Sequence, residues 1–495
     1  MVKYFLPKKI YIPLIIFFLS IVIFISYLYA HSSLPPAIVE PGSMVTEADY
    51  IIFTDGTNYY ARNGNTGKIE FNGDPTLVIQ SAINALSEGT VFLKSLGTVN
   101  VGTITAKSNV SLIGDENTIL KNSDGLGPII EIVDQTNIVI KGLKFDGNDA
   151  IVTSHSLYNS AIKINGGKNI VIENVDITAC EGHSITINKG ENIRITKFNI
   201  HDTSQKMFGM DAIVIHSGRN IEIYSGTFRN IRGPDNYGGS VEIMDSQDDS
   251  GWFTENISVH DTFSYNIGEF AFGVNIPSPK TYRGYPKNIS IFNNLIIDSG
   301  IVASGAGVVV THGKNIKIYG NNIIRETQGT YGIYIFNNVE EASIGSNTIK
   351  NYGIGIYLVH DMDHYRQVPI SINDNNILGG IEGIHLEYLN GGEVVGNTIT
   401  GSQIAIKLVS VGQSNIVGNK LNLISGKSTT GIELYNSWFN SLKMNYLHGY
   451  SGLPNSIVET GNSSDCNIIS ENILRVCPVI STYGSCTIKR NNDLL

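Results

Sequence analysis

The chain has 495 residues, 42% hydrophobic and 16% charged, enough to fill a large core and too few charges for a solvated, unfolded polymer. Fifty-two glycines against 14 prolines suit a turn-rich β architecture better than a helical one. A net charge of −10 with no basic stripe argues against nucleic acid as a partner, since such a surface gains nothing from phosphates.

Lys3, Lys8 and Lys9 precede Ile10 to Ala30, a run of 21 uncharged residues, long enough to cross a hydrocarbon layer of about 30 Å. This reads as a cytoplasmic tail (1–9), a transmembrane anchor or signal sequence (10–30) and a linker (31–48). If cleavage followed Ala30, bulky Leu28 would occupy a place that cleavage sites give to small residues, which favours a retained anchor. The lysines on one side, with Glu40, Glu47 and Asp49 on the other, put the bulk of the chain outside the cytoplasm, tethered if the helix is kept and secreted if it is cut.

Residues 49–105 read as a start cap. YIIFTDGTNYYARNGNTGKIEF gives strands with N-G turns, and DPTLVIQSAINALSEG gives one amphipathic helix. In it Asp74 is the N-cap, Pro75 the first residue and Gly89 the stop, with Val78, Ile79, Ala82, Ile83 and Leu86 on one face. Such a helix can plug the open end of an apolar stack.

From there the chain repeats itself. The pattern [ILV]-x-x-N-x-[IL] recurs at Asn294, Asn321, Asn347, Asn375, Asn397, Asn419, Asn445 and Asn472, which is 178 residues over seven steps, a mean near 25. A second motif alternates with it: GVVVTHG at 307, GIYIFNN at 332, GIGIYLV at 353, GIHLEYL at 383 and GIELYNS at 431. Both show two-residue alternation with no helical stretch between, the signature of a parallel β-helix in which each repeat is one coil. Weaker copies such as NIVIKGLKF and NIRITKFNI extend the stack back to near Asn109, about fourteen coils over residues 106–475 before a C-terminal cap (476–495). Inward isoleucines then stack at about 4.8 Å, and the repeated Asn forms a structural ladder rather than a ligand site.

The run PTLVIQSAINALSEGTVFLKSLGTVNVGTITAKSNVSLIGDENTIL resembles the opening of the pectate lyase superfamily, where an AIQxAI helix leads to GTVYLPxGTY and then VTLIG. The matching pieces are Val78 to Ile83, Gly89 to Lys94 and Val110 to Gly114, with LKSLGTVNV in place of the usual Pro-containing turn. The resemblance implies an all-β, right-handed parallel β-helix with an N-terminal α-helical cap, here preceded by one transmembrane helix. It names no substrate. Members typically bind saccharide in a groove along one outer sheet, walled by loops.

Such loops interrupt the repeats between His201 and Arg283, and irregularity on a regular scaffold marks function. Alternation points Asn188, His216, Glu242, Tyr334, Tyr357, His385 and Glu387 outward, with His183 and Asp211 at strand starts. Asp211 and Glu242 sit one coil apart and about three residues out of register, roughly 11 Å between backbones. Glycosidic cleavage needs an acid with a base or nucleophile, about 5–5.5 Å apart in retaining and 6.5–9.5 Å in inverting enzymes. GMDAIVI at 209 resembles the NTDGID motif of polygalacturonases, yet Val214 stands where the second Asp belongs and no GHG or RIK follows. The alternative chemistry, β-elimination from a uronate, calls for Ca²⁺ and a base: Asp245, Asp248 and Asp249 as oxygens, with Arg283, Arg232 or Lys280 taking the proton. His216 joins Asp211, Glu242 and Arg283 as a catalytic candidate, while His183, Tyr237, Trp252, Tyr282 and Tyr334 are candidates for holding sugar. The expected function is a membrane-tethered protein that binds a polysaccharide and cleaves or epimerises it. The alternative is a non-catalytic surface rod for adhesion or envelope architecture.

Of four cysteines, Cys466, Cys477 and Cys486 lie close together, so that a bridge such as Cys477 to Cys486 would staple a C-terminal hairpin; buried free thiols are the alternative. Asn109, Asn256, Asn288 and Asn462 head glycosylation sequons.

Overall fold

The computed structural model describes residues 48–495 except 124–126, 150–159, 204–209, 234–235, 246–253, 276–284, 303, 361–367, 451–454, 462, 476–479, 483–485 and 495. The expected membrane segment lies outside these residues, and among the described ones no helix is long and apolar enough to cross a membrane. Asp74 Oδ1 accepts the Leu77 N–H at 3.1 Å and starts the helix Pro75–Ala85. Val78, Ile79, Ala82 and Ile83 are its buried face and join the same core as the first coils. Before it, Tyr50–Thr54, Tyr59–Asn63 and Ile69–Gly73 form an antiparallel meander, and Tyr50–Thr54 pairs in parallel with Gly89–Leu93.

Every later pairing is parallel, and the strands fall into three ladders, one per face of the coil. The first face runs from Gly89–Leu93 through Val110–Gly114 to Ile488–Arg490. The second runs from Gly97–Val101 to Asp493–Leu494, and the third from Ile104–Thr105 to Ile480–Ser481. Register stacks like on like: Ile170, Ile193, Ile221, Ile257, Ile289 and Ile316 stand one above another on the first face, each 0–1% exposed. Each fully buried isoleucine contributes roughly 1.5–3 kcal/mol of transfer free energy, so the column holds its coils together without any long-range closure.

The two sequence motifs are the two corners of this coil. Asn294, Asn321, Asn347, Asn375, Asn397, Asn419, Asn445 and Asn472 are buried, and each Nδ2 donates to the Oδ1 of the next at 2.9–3.0 Å. The ladder ends on Asn492, which the repeat pattern missed. The glycine that opens each GIxI motif makes room at the next corner. A Cβ on Gly332 would stand 2.5 Å from Ile349 Cγ2, and one on Gly383 2.6 Å from Ile399 Cγ2, so the second-face isoleucine owns that space.

A second, exposed asparagine column runs Asn109, Asn137, Asn169, Asn192, Asn220, Asn256, Asn288 and Asn315. All are left-handed (φ 54° to 64°), a conformation that Asn tolerates, and their amides bond in series at 2.8–3.0 Å. Three sequons therefore sit in a ladder: the Nδ2 of Asn256 and of Asn288 is already donated, and Asn109 Oδ1 accepts.

The disulfide joins Cys466 to Cys486, correcting the Cys477–Cys486 pairing; Cys477 lies outside the described residues. The reason is topological. In a parallel stack Ile468 pairs with Ile488, so residues two places earlier face one another across adjacent coils, 4.5 Å between Cα atoms, and there is no hairpin to staple. Cys180 is a buried free thiol, pushed up to about 12 by that burial. Cys466→Ala is expected to cost about 3 kcal/mol, the entropy of a loop of this size, and to do so locally. Hydrogen exchange should show the last coils opening first while the central ones keep their protection.

Candidate functional site

On the third face, strands Ile185–Asn188, Ile213–Ile215, Gly239–Met244 and Phe270–Asn275 lie side by side. Val214 pairs with Glu242, so Asp211 starts three residues out of register with it, as alternation indicates. The side chains close part of that gap, near enough for Glu242 to act on the Asp211 carboxyl. Two neighbouring carboxyl groups oppose one another's ionisation, so that one of them holds its proton more tightly.

Asp211 is the member whose proton is held more tightly. Burial, 4% exposure, raises its carboxyl well above the usual range, and the Glu242 charge and hydrogen bond push the same way; the Gly239 N–H, donating to Oδ1 at 2.6 Å, opposes them. Glu242 is oriented from the next coil, where Asn275 Nδ2 donates to its Oε1 at 2.9 Å. Asn275 Oδ1 in turn accepts from Thr311 at 3.3 Å. Gly238, at φ +121°, turns the chain in a conformation that favours glycine, and at Gly239 a Cβ would sit 2.7 Å from Asp211 Oδ1 and inside the Phe270 ring. Only glycine lets this N–H reach the acid.

His183 is buried behind the pair. Its Nδ1 lies 3.1 Å from the Asp211 backbone nitrogen and 3.2 Å from the Asp211 carbonyl oxygen, so it accepts from the one or donates to the other according to tautomer, and it lies 3.9 Å from Asp211 Oδ2. Burial, helped by His216, pushes it down to about 4, so it is a neutral imidazole at physiological pH. His216 stands edge-on to it, ring centroids 6.3 Å apart, and is likewise lowered by burial, with Glu242 opposing. The cluster thus offers an acid that holds its proton tightly, a second carboxyl group near it and two imidazoles lowered by burial, within one face.

The His183 shift has a consequence for stability. Because its folded-state affinity for protons is below the unfolded one, its contribution is present above about pH 6.5 and lost as pH falls toward 4. The melting temperature of the wild type is expected to fall across that window by the equivalent of roughly 2 kcal/mol more than that of His183→Gln. Parallel curves for the two proteins would contradict a buried neutral imidazole.

The other candidates scatter. Tyr237 is 37% exposed. Asp245 is buried, and its Oδ1 accepts the Thr254 N–H at 3.3 Å. Asp248, Asp249, Trp252, Tyr282 and Arg283 lie outside the described residues. Tyr334 lies on the same outer column as Glu242, reached through Gly273 and Val309. Among the described residues one trio of ligand-type side chains clusters, Asp465, Cys466 and Cys486, and its two sulfurs are bonded to each other. Sequence reasoning missed Asn275 and Gly239; two-residue alternation from Gly273 would have found the first.

A protein family described as periplasmic copper-binding protein (NosD) matches residues 288–476. Among solved structures, the tailspike protein of E. coli bacteriophage HK620 in complex with a pentasaccharide is similar over 79% of this chain and 76% of its own, at 13% identity and TM-score 0.60. The chain has the parallel β-helix fold. A variant of the same tailspike aligns with TM-score 0.61 at 14% identity, covering 79% and 75% of the two chains. The Azotobacter vinelandii mannuronan C-5 epimerase AlgE6 A-module covers 84% of this β-helix chain and 95% of its own, at 16% identity and TM-score 0.44. No curated protein sequence matches the chain.

Proposed function

We propose that this β-helix protein binds a polysaccharide along its third face and cleaves or epimerises it by acid–base chemistry at Asp211 and Glu242. One observation carries the reading: the buried Asp211 carboxyl, raised by burial and by the half-buried Glu242 near it, with Asp211 held by Gly239 and Glu242 by Asn275, beside two imidazoles lowered by burial. Structural pairs of this kind are costly unless used, because each buried acid opposes ionisation of the other. In this reading Asp211 donates the proton, Glu242 receives one, and His183, bonded to the Asp211 backbone, positions the acid with His216 beside it. Tyr237, 37% exposed, is the described aromatic candidate for holding sugar, and Ca²⁺ would neutralise a uronate carboxylate if the substrate carries one; the other loop candidates, Arg283, Trp252, Tyr282, Asp248 and Asp249, lie outside the described residues.

The same reading places the chain outside the cytoplasm, held by residues 10–30. The Cys466–Cys486 bridge suits an oxidising compartment, and the family that matches residues 288–476 is described as periplasmic.

The test compares wild type with the Asp211→Ala, Glu242→Ala double variant on neutral and uronic polysaccharides, with Ca²⁺ or chelator, following reducing ends and ultraviolet absorbance of unsaturated products. Turnover by the wild type that the double variant lacks is the expected result, and the channel that reports it separates hydrolysis from elimination. Equal turnover by both would remove chemistry from this site.

A further inference from the structure

Farther along the third face the outer column changes character. After Glu242 come Gly273 and Val309, then Tyr334, Tyr357, His385 and Lys407 in register. Tyr331, Tyr334 and Tyr357 are packed together, with ring centroids 4.6, 5.3 and 5.4 Å apart, and all three remain partly exposed. Tyr331 and Tyr334 rest on Phe270, Ala306 and Val309, a small apolar cluster separate from the interior core. Beside them opens a cleft of about 460 Å³ whose lining includes Gln328, Thr330, Tyr331, Ile354, Ile381 and Glu382.

The polar groups around this cleft lie close to one another. Glu382, 7% exposed, has Lys407 Nζ at 2.7 Å and His385 Nδ1 at 2.6 Å. Tyr357 donates to Glu387 Oε2 at 2.7 Å. Burial raises the Glu382 carboxyl, but His385 and Lys407 outweigh it and hold it below the usual range, so an ionised acceptor lines the cleft. The Lys407 ammonium is already matched by the Glu382 carboxylate. Among the described residues that line the cleft Glu382 is the one charged side chain, so a uronate would find an acid there and no lining cation, whereas a neutral sugar finds a phenol ring, hydroxyls and a carboxylate acceptor for its own hydroxyls.

We infer that this cleft is a binding subsite for neutral sugar residues of the polysaccharide, separate from the Asp211–Glu242 pair and feeding it. The inference rests on the function proposed above. Three steps of about 4.8 Å separate Glu242 from Tyr334, about 14 Å along the axis, a distance that only an oligosaccharide spans. The subsite therefore contributes to affinity for long chains and not to the chemical step, and it selects against polymers that are uronic throughout.

The experiment uses a glycan array of neutral and uronic oligosaccharides, then titration of the best binder, with the full chain carrying Asp211→Asn to prevent turnover. Added changes are Tyr331→Ala, Glu382→Gln and the surface pair Gln328→Ala, Ile381→Ser, whose exposed side chains leave the core intact. Neutral oligosaccharides are expected to bind, with each change weakening long ones at least tenfold; without Asp211→Asn, KM rises and kcat on short substrates stays. Unchanged affinity in all three overturns the subsite while leaving the dyad reading standing if Asp211→Asn alone abolishes turnover. Binding confined to uronic oligosaccharides overturns the assigned sugar class, and no binding to any sugar overturns both proposals.

Discussion

Asp211→Asn is expected to lower turnover of the cognate polysaccharide by 10²- to 10⁴-fold, the usual loss for a positioned acid or base, without lowering the melting temperature. Asparagine preserves the shape and keeps an oxygen for the Gly239 N–H, which now bonds at 2.6 Å. What it removes is the proton that the raised Asp211 carboxyl holds. The stability side follows from the direction of the shift. Burial and Glu242 raise the Asp211 carboxyl, so its contribution to folding is present below the ordinary carboxylate range and is lost as pH rises. At neutral pH the wild type bears that cost, and Asn relieves it. A variant as active as the wild type would end Asp211's role as acid, and a sharp fall in melting temperature would make the residue structural instead.

Asn397→Leu should be among the most damaging single changes away from the site. Its side chain is fully buried; Oδ1 accepts both the backbone N–H and the Nδ2 of Asn375, while Nδ2 donates to Ile372 O and Asn419 Oδ1 at 2.8 and 3.0 Å. Leucine has similar volume, so no cavity is created, but buried donors and acceptors on both neighbouring coils lose their partners. At about 1–3 kcal/mol for each group left unsatisfied, a loss of at least about 3 kcal/mol is expected. The control is Asn220→Ala in the exposed column, where water replaces the lost amide bond and the cost is chiefly the left-handed backbone, about 1–2 kcal/mol. Denaturant unfolding compares the two; equal costs would mean that the buried ladder contributes no more than a surface turn.

The repeat was legible because a coil must return to the same corner, and only Asn satisfies the buried amide ladder there. That is why Asn294 and its successors were read correctly as structure. Alternation also told which side chains of the third face point outward, including Glu242 and Tyr334. It said nothing of rotamers, and the approach of Asp211 to Glu242 across a three-residue offset depends on them. Nor did it reach Asn275, whose part is to orient Glu242 from a neighbouring coil and which has no pattern of its own. The cysteine pairing went astray for a related reason: Cys477 and Cys486 are near in sequence, but parallel stacking makes partners of residues one full coil apart, as with Cys466 and Cys486. The left-handed column from Asn109 to Asn315 was visible as NIxI copies and passed over as weak repeats, although its backbone angle calls for Asn.

The most direct test of the account is to incubate the full wild-type chain with a panel of neutral and uronic polysaccharides and to measure both retained polymer and released or altered product. The account predicts that at least one polymer with neutral residues is bound and turned over, in a manner that requires Asp211 and Glu242. A chain that binds none of them, or that binds and turns over polymer equally well without the two acids, would contradict it.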